Sequence, residues 1–316
     1  MKSNTVRIGS RGSDLALWQA RWVQSELLRL HPESEVTIEV IKTTGDRILD
    51  SPLSQIGDKG LFTREIENAL LDGRIDLAVH SLKDLPTGLP EGLEIGAVCR
   101  REDPRDVFIP HPLNDTRHLM TQPPGATIAT GSLRRKCQLA ALRPDMEIVD
   151  VRGNLGTRLT KLEASRWQGM LLARAGVVRL GWDSRIGETV ATDLILPAVG
   201  QGALGIEVRR DDSGIGQLIT ELIDLPTLQG TTAERALLRA LEGGCQVPIG
   251  AFGRVVPNPL HGATLKLDAM VGSLDGRTVV RDKIEGDPAE ADSLGTLLAA
   301  RLLAHGAEEI LRQIRS

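Results

Sequence analysis

Through the first two thirds of the chain, short runs rich in valine and isoleucine alternate with stretches whose apolar residues recur at spacings of three and four. That alternation limits the fold more than any other feature. Strands covered on both faces read as continuous apolar runs, and the crossovers between parallel strands are helical. Strands are expected over 6–10, 36–42, 75–80, 93–99, 126–130, 147–151, 169–173 and 204–208, with helices over 15–30, 61–72, 133–142 and 157–167. Pro144 stops the third of these helices. Between 104 and 124 the pattern lapses into proline, histidine and asparagine, which suits a crossing between two lobes followed by a loop. After Asp224, a helix over 231–241, strands over 251–256, 265–271 and 278–284, and a helix over 289–314 read as a small α+β domain.

The chain has 316 residues, 41% of them hydrophobic and 25% charged, which is enough for two or three separate cores. Met1 to Ser13 holds Lys2, Arg7 and Arg11 but no apolar run, and no later run approaches a membrane span. A cytoplasmic protein with no membrane partner is expected. Cys99, Cys137 and Cys245 are odd in number and far apart, so neither a disulfide framework nor a metal site follows from them. A net charge of -4 disfavours nucleic acid as the main ligand. With no coiled-coil seam in the sequence, a monomer is expected.

Ligands of open α/β sheets bind beyond the carboxyl ends of strands, where helix N-termini offer free N–H groups to anions. Arg11 and Ser13 follow the first expected strand; Ser81, Lys83 and Asp84 follow the third; Ser132, Arg134 and Arg135 follow the strand over 126–130; Arg152 and then Arg158 follow the next. Arginine grips planar carboxylates bidentately, and neighbouring hydroxyls add hydrogen bonds without charge. The joint placement implies a polycarboxylate or a phosphate. The sequence has no Walker motif and no glycine-rich dinucleotide fingerprint after the first strand.

Asp84 is the lone acid between His80 and Pro86. A carboxylate there is suited to stabilising a developing cation and relaying protons, or merely to balancing Lys83. His80 ends an apolar run and reads as a packed, hydrogen-bonded core residue. Cys245 sits in the segment EGGCQVP, where two glycines free the backbone to present a thiol, although a buried apolar cysteine is the usual alternative.

RIGSRGSDLALWQA from Arg7, GDKGLFTREIENALL from Gly57, DLAVHSLKDLP from Asp76, REDPRDVF from Arg101, GSLRRKCQLA from Gly131, RGNLGTRLTKL from Arg152, LPAVGQGALGIE from Leu196 and TAERALLRALEGGCQVPIG from Thr232 together resemble the porphobilinogen deaminase family across almost the whole chain. The resemblance implies a transferase of heme and tetrapyrrole biosynthesis. It would join four porphobilinogen molecules head-to-tail, with loss of ammonia, on a dipyrromethane cofactor held by a thioether to Cys245, and then release hydroxymethylbilane by hydrolysis. It implies Asp84 as the catalytic residue. Lys83, Asp84, Thr130, Ser132, Arg134, Arg135 and Arg158 would hold the cofactor; Arg11, Ser13, Ser81, Arg152, Arg179, Phe62 and Lys59 would meet substrate, the last two from a loop near the cleft.

The implied fold is α/β, with two periplasmic-binding-protein-like lobes of mixed sheets and a small α+β C-terminal domain. Residues 1–103 with 201–221 would form lobe 1, 104–200 lobe 2, and 222–316 the domain carrying the cysteine. Asp14, Gln55, Gly131 and Arg174 depart from the family pattern.

Overall fold

Five strands form the first sheet: β1 (Thr5–Ser10), β2 (Glu35–Val40), β3 (Leu77–Ser81), β4 (Leu93–Val98) and β10 (Leu204–Arg209), in the order β2-β1-β3-β10-β4. The computed structural model describes residues 5–47, 63–242, 247–259 and 262–315 of the chain. β1, β2 and β3 are parallel, while β10, from much later in the sequence, pairs antiparallel with β3 and β4. These strands belong to one compact unit, Met1–Glu102 with Ala203–Leu228.

Alternation along β3 explains how that sheet is covered. Leu77 and Val79 pack with Ala20, Val23 and Leu27 of α1 (Asp14–Leu30), while Ala78 packs with Ile66, Ala69 and Leu70 of α2 (Arg64–Leu71). Both faces are therefore dry, and β3 must be apolar at nearly every position. Ser13 caps α1 by accepting from the Ala16 N–H at 3.4 Å, and Asp14 adds negative charge in the first helical turn. An acid at position 14 thus suits a helix start, as proline would.

The second unit, Asp103–Gly202 with Gln229–Ser316, contains two sheets. β5 (Asp106–Pro110), β6 (Thr127–Ala129), β7 (Glu147–Val149), β8 (Gly169–Ala173) and β9 (Glu188–Thr189) are ordered β7-β6-β8-β5-β9. β6 is parallel to β7 and β8; β5 is antiparallel to β8 and β9. α3 (Leu133–Leu142), α4 (Leu155–Glu163) and α5 (Arg174–Arg179) follow strands of this sheet, and α6 (Ser213–Ile219) follows β10 in the first unit. β5 corrects the expectation of a loop after residue 104, since all five of its residues are buried. Prolines at 104 and 110 mask it in the sequence, but Pro110 occupies the last strand position, where the missing N–H costs least.

β11 (Ile249–Asn258), β12 (Gly262–Gly272) and β13 (Val279–Gly286) form an antiparallel sheet. α7 (Leu225–Ala240) and α8 (Ala291–Leu302) contribute Ala233, Leu237, Leu294 and Leu298 to its core. The helix expected over 289–314 is divided: Gly306 takes φ 105, a left-handed value, before α9 (Glu308–Arg315).

Candidate active site

In the first unit the parallel pairing of β1 with β3 brings their carboxyl ends side by side. β3 runs into a short turn, Leu82–Asp84, anchored by the buried Leu82, whose N–H donates to the Ala203 carbonyl at 3.0 Å. Pro86 holds Leu85 in an extended conformation, φ -80 and ψ 132, which ends the turn at Asp84. Asp84 is exposed there and lines a pocket with Arg11, Ser13, Gln19, His80 and Ser81. One carboxylate thus stands among cationic and hydroxylic donors.

Alternation decides what each β3 side chain meets. Ser81 points to the α1 side, where its hydroxyl accepts from Gln19 Nε2 at 2.8 Å. That leaves the Ser81 proton for another acceptor. His80 points to the α2 side and is 6% exposed, with Nε2 2.9 Å from Glu207 Oε2. Sequence reasoning missed Gln19, although a glutamine on the stripe of Ala16, Ala20 and Val23 is a polar residue in an apolar row. Such a residue needs a partner.

In the second unit Thr130 follows β6; its N–H donates to the Val149 carbonyl at 2.9 Å and its hydroxyl accepts from the Ser132 N–H at 3.2 Å. Ser132 begins α3 without using its side chain as a cap. Arg134 and Arg135 lie in the first turn but are buried, and both face Asp106, the first residue of β5. Arg134 Nη1 and Arg135 Nη2 each lie 2.8 Å from a carboxylate oxygen of Asp106, and Gln201 Nε2 donates to it at 2.8 Å. Burial alone would raise the Asp106 carboxyl; the two guanidinium charges overcome it and hold the group well below the usual carboxylate range. Arg134 also donates to the Leu196 carbonyl and Arg135 to that of Leu171. Arg158 Nε donates to the Gly153 carbonyl at 2.8 Å, and Arg179 Nη2 to that of Gly202 at 2.7 Å. Arg152 is half-buried in the segment after β7.

Among the residues where the family pattern breaks, Gly131 has a steric reason. A Cβ there would stand 2.6 Å from the Val151 carbonyl oxygen. Arg174 pairs with Asp103 at 3.6 Å. Lys59, Phe62, Gln55 and Cys245 lie outside the described residues. The chain enters the Cys245 segment through Glu242, a non-glycine residue at φ 48, whose carbonyl and that of Leu241 accept from Arg315 Nη2. Cys99 and Cys137 are buried, and burial pushes the Cys137 thiol up to about 11.

The donor set tests the fit of a cofactor carrying acetate and propionate groups. At the start of α3 the Ser132 hydroxyl is not used in capping, and the Nε atoms of Arg134 and Arg135 are buried without a hydrogen-bond partner among the described residues. Cationic and hydroxylic donors with unmet capacity suit carboxylates.

Two family models match the chain. The porphobilinogen deaminase dipyromethane cofactor binding domain matches residues 6–217, and the porphobilinogen deaminase C-terminal domain matches residues 228–304. The chain belongs to the porphobilinogen deaminase family. Porphobilinogen deaminase of Carboxydothermus hydrogenoformans is 50% identical over 316 residues, which is 100% of this chain and 98% of that protein. Porphobilinogen deaminase of Chlorobaculum tepidum is 51% identical over 318 residues, covering 100% of this chain and 99% of that protein. Among solved structures, the periplasmic aliphatic sulphonate binding protein SsuA from Escherichia coli is 17% identical with a TM-score of 0.39, over 76% of this chain and 71% of that one. A probable amino-acid ABC transporter extracellular-binding protein of Bacillus subtilis is 13% identical with a TM-score of 0.42, over 73% and 96%. No helix among the described residues of this porphobilinogen deaminase family member is long and apolar enough to cross a membrane.

Proposed function

We propose that the pocket at the ends of β1 and β3 is where a porphobilinogen deaminase reaction takes place, with Asp84 as its catalytic residue. One observation carries this reading: a single exposed carboxylate shares a pocket with Arg11, Ser13 and Ser81, donors for carboxylate side chains. The family joins porphobilinogen units into hydroxymethylbilane with loss of ammonia. When the amine leaves, the methylene carbon it occupied becomes cationic. Asp84 stabilises that charge and exchanges protons with the departing and accepting groups, while Arg11, Ser13 and Ser81 fix the acetate and propionate that orient the ring.

The cofactor is a dipyrromethane, bound through a thioether to Cys245, and it supplies the pyrrole carbon on which the chain grows. Lys83, Thr130, Ser132, Arg134, Arg135 and Arg158 hold its carboxylates; Arg152 and Arg179, with Lys59 and Phe62, contact substrate. Residues 1–103 with 201–221 form one lobe, 104–200 a second, and 222–316 the domain that carries Cys245. We read the protein as a cytoplasmic monomer that acts on a small molecule and uses neither nucleic acid nor membrane.

The mass of the intact purified protein tests the tether. An increment of two pyrrole units is expected in the wild-type protein and none in Cys245→Ala. An unmodified mass in active protein would overturn the assignment.

A further inference from the structure

Arg134, Arg135, Asp106 and Gln201 all belong to the second unit, and the order of its sheet explains how they meet. α3 starts just beyond the carboxyl end of β6, which is parallel to β8. β5 runs antiparallel to β8 with Asp106 opposite Ala173, so β5 begins where β6 and β8 end. Asp106 Oδ2 accepts from Arg134 Nη1 at 2.8 Å. Its Oδ1 accepts from Arg134 Nη2 at 3.3 Å, from Arg135 Nη2 at 2.8 Å and from Gln201 Nε2 at 2.8 Å. Arg134 is thus gripped end-on, through both terminal nitrogens. Gln201 Nε2 also donates to the Pro104 carbonyl at 2.6 Å, just before β5.

The charges of this cluster do not cancel. Two buried guanidinium groups face one wholly buried carboxylate, and among the described residues neither arginine pairs with a second one. Burial pushes the Arg134 guanidinium below its ordinary value and the charge of Arg135 acts in the same direction, while Asp106 opposes both. The Nε atoms of both arginines are buried with no hydrogen-bond partner among the described residues. A buried positive charge in excess, with donors unmet, is costly for the chain alone and is offset by an anionic ligand.

We propose that Asp106, braced by Gln201, is a positioning residue for the dipyrromethane. It holds two mutually repelling guanidinium groups side by side at the start of α3 and leaves them one positive charge in excess for the cofactor's carboxylates. Wholly buried, Asp106 acts through the arginines and not on the cofactor itself. Without its charge the two cations repel each other unopposed, and the cradle is lost although both arginines remain. The inference rests on the assignment of Arg134 and Arg135 to the cofactor given above.

Asp106→Asn, which keeps the shape and removes the charge, is the test, made on the full-length protein. The share of purified chains that carry the two-pyrrole mass is expected to fall by about tenfold against wild type. Thermal midpoints supply a readout that a purely structural role leaves unmoved. Wild type is expected to melt above Cys245→Ala, and that gap is expected to narrow when both chains also carry Asp106→Asn. An equal lowering of both midpoints, with the gap and the loaded share as in wild type, overturns the proposal. If Asp106→Asn does not fold, Gln201→Met decides, because it removes a donor from Asp106 and leaves both arginines in place. A reduced loaded share and a narrowed gap are then expected, and an unchanged share and gap overturn the proposal. Arg135→Gln separates this result from the reading beneath it. A wild-type loaded share in Arg135→Gln overturns the assignment of the arginines and the proposal with it; a reduced share there, beside a wild-type share in Asp106→Asn, overturns the proposal alone.

Discussion

Asp84 is exposed at the end of a short turn, whereas Asp106 is buried between Arg134 and Arg135. Both are aspartates within segments that resemble the family, DLAVHSLKDLP and REDPRDVF, and their surroundings set them apart. Asp106 is committed to neutralising two guanidinium groups, so its carboxylate has no capacity for proton exchange near neutral pH. Asp84 is open to a ligand. Asp84→Asn should therefore load substrate yet elongate more slowly by on the order of 10²–10³-fold, because an amide keeps the shape and loses the charge. Single-turnover measurement of ammonia release against substrate binding checks this, and turnover close to wild type would remove Asp84 from its role. The resemblance singles out Asp84 in the sequence, but nothing local marks Asp106 as a buried, charge-paired residue. The partners that separate them come from elements 28 and 29 positions away.

At the scale of elements, α7 and β11 approach more closely than side chains permit. A Cβ on Gly253 would lie 2.3 Å from the Gly230 carbonyl oxygen, and one on Gly230 would lie 2.6 Å from that of Gly253. Glu234, wholly buried one turn along α7, accepts from the Gly253 N–H at 2.7 Å and the Gly200 N–H at 2.6 Å. Backbone cannot move aside as a flexible side chain can. Gly253→Ala should lower stability by about 1–3 kcal/mol, read as a reduced urea midpoint with an unchanged m-value. An unchanged midpoint would show that the strand and helix can separate at little cost. The same scale explains which elements were legible. α1 and β3 announce themselves by period, while β5 is hidden because it is flanked by prolines and pairs antiparallel, with no crossover helix to mark it.

Across the whole molecule, acid stability follows from paired carboxylates. Burial would raise Asp76, Asp103 and Asp106, but Arg7 at the first, Arg105 at the second, and Arg134 with Arg135 at the third bring all three below the ordinary aspartate value of 3.8. A folded-state value below the unfolded one means that the folded protein binds fewer protons. The contribution of these pairs is complete above the ordinary value and is lost as pH falls through the depressed ones. Urea midpoints should accordingly decline from about pH 4 downward; a flat profile between pH 5 and pH 2 would contradict the pairing.

Order along the chain, the apolar period of most elements, the placement of anion donors after strands and the family itself all reside in local sequence, because period and motif are short-range properties. Which donors point into a pocket is a different matter. Ser81 faces Gln19 and His80 faces Glu207 only because β3 lies between two helices and beside a strand from far along the chain. His80 and Glu207 are 127 positions apart, and no local pattern in either segment names the other. Burial and charge pairing, which separate an aspartate open to a ligand from one committed to arginines, arise only when distant segments meet.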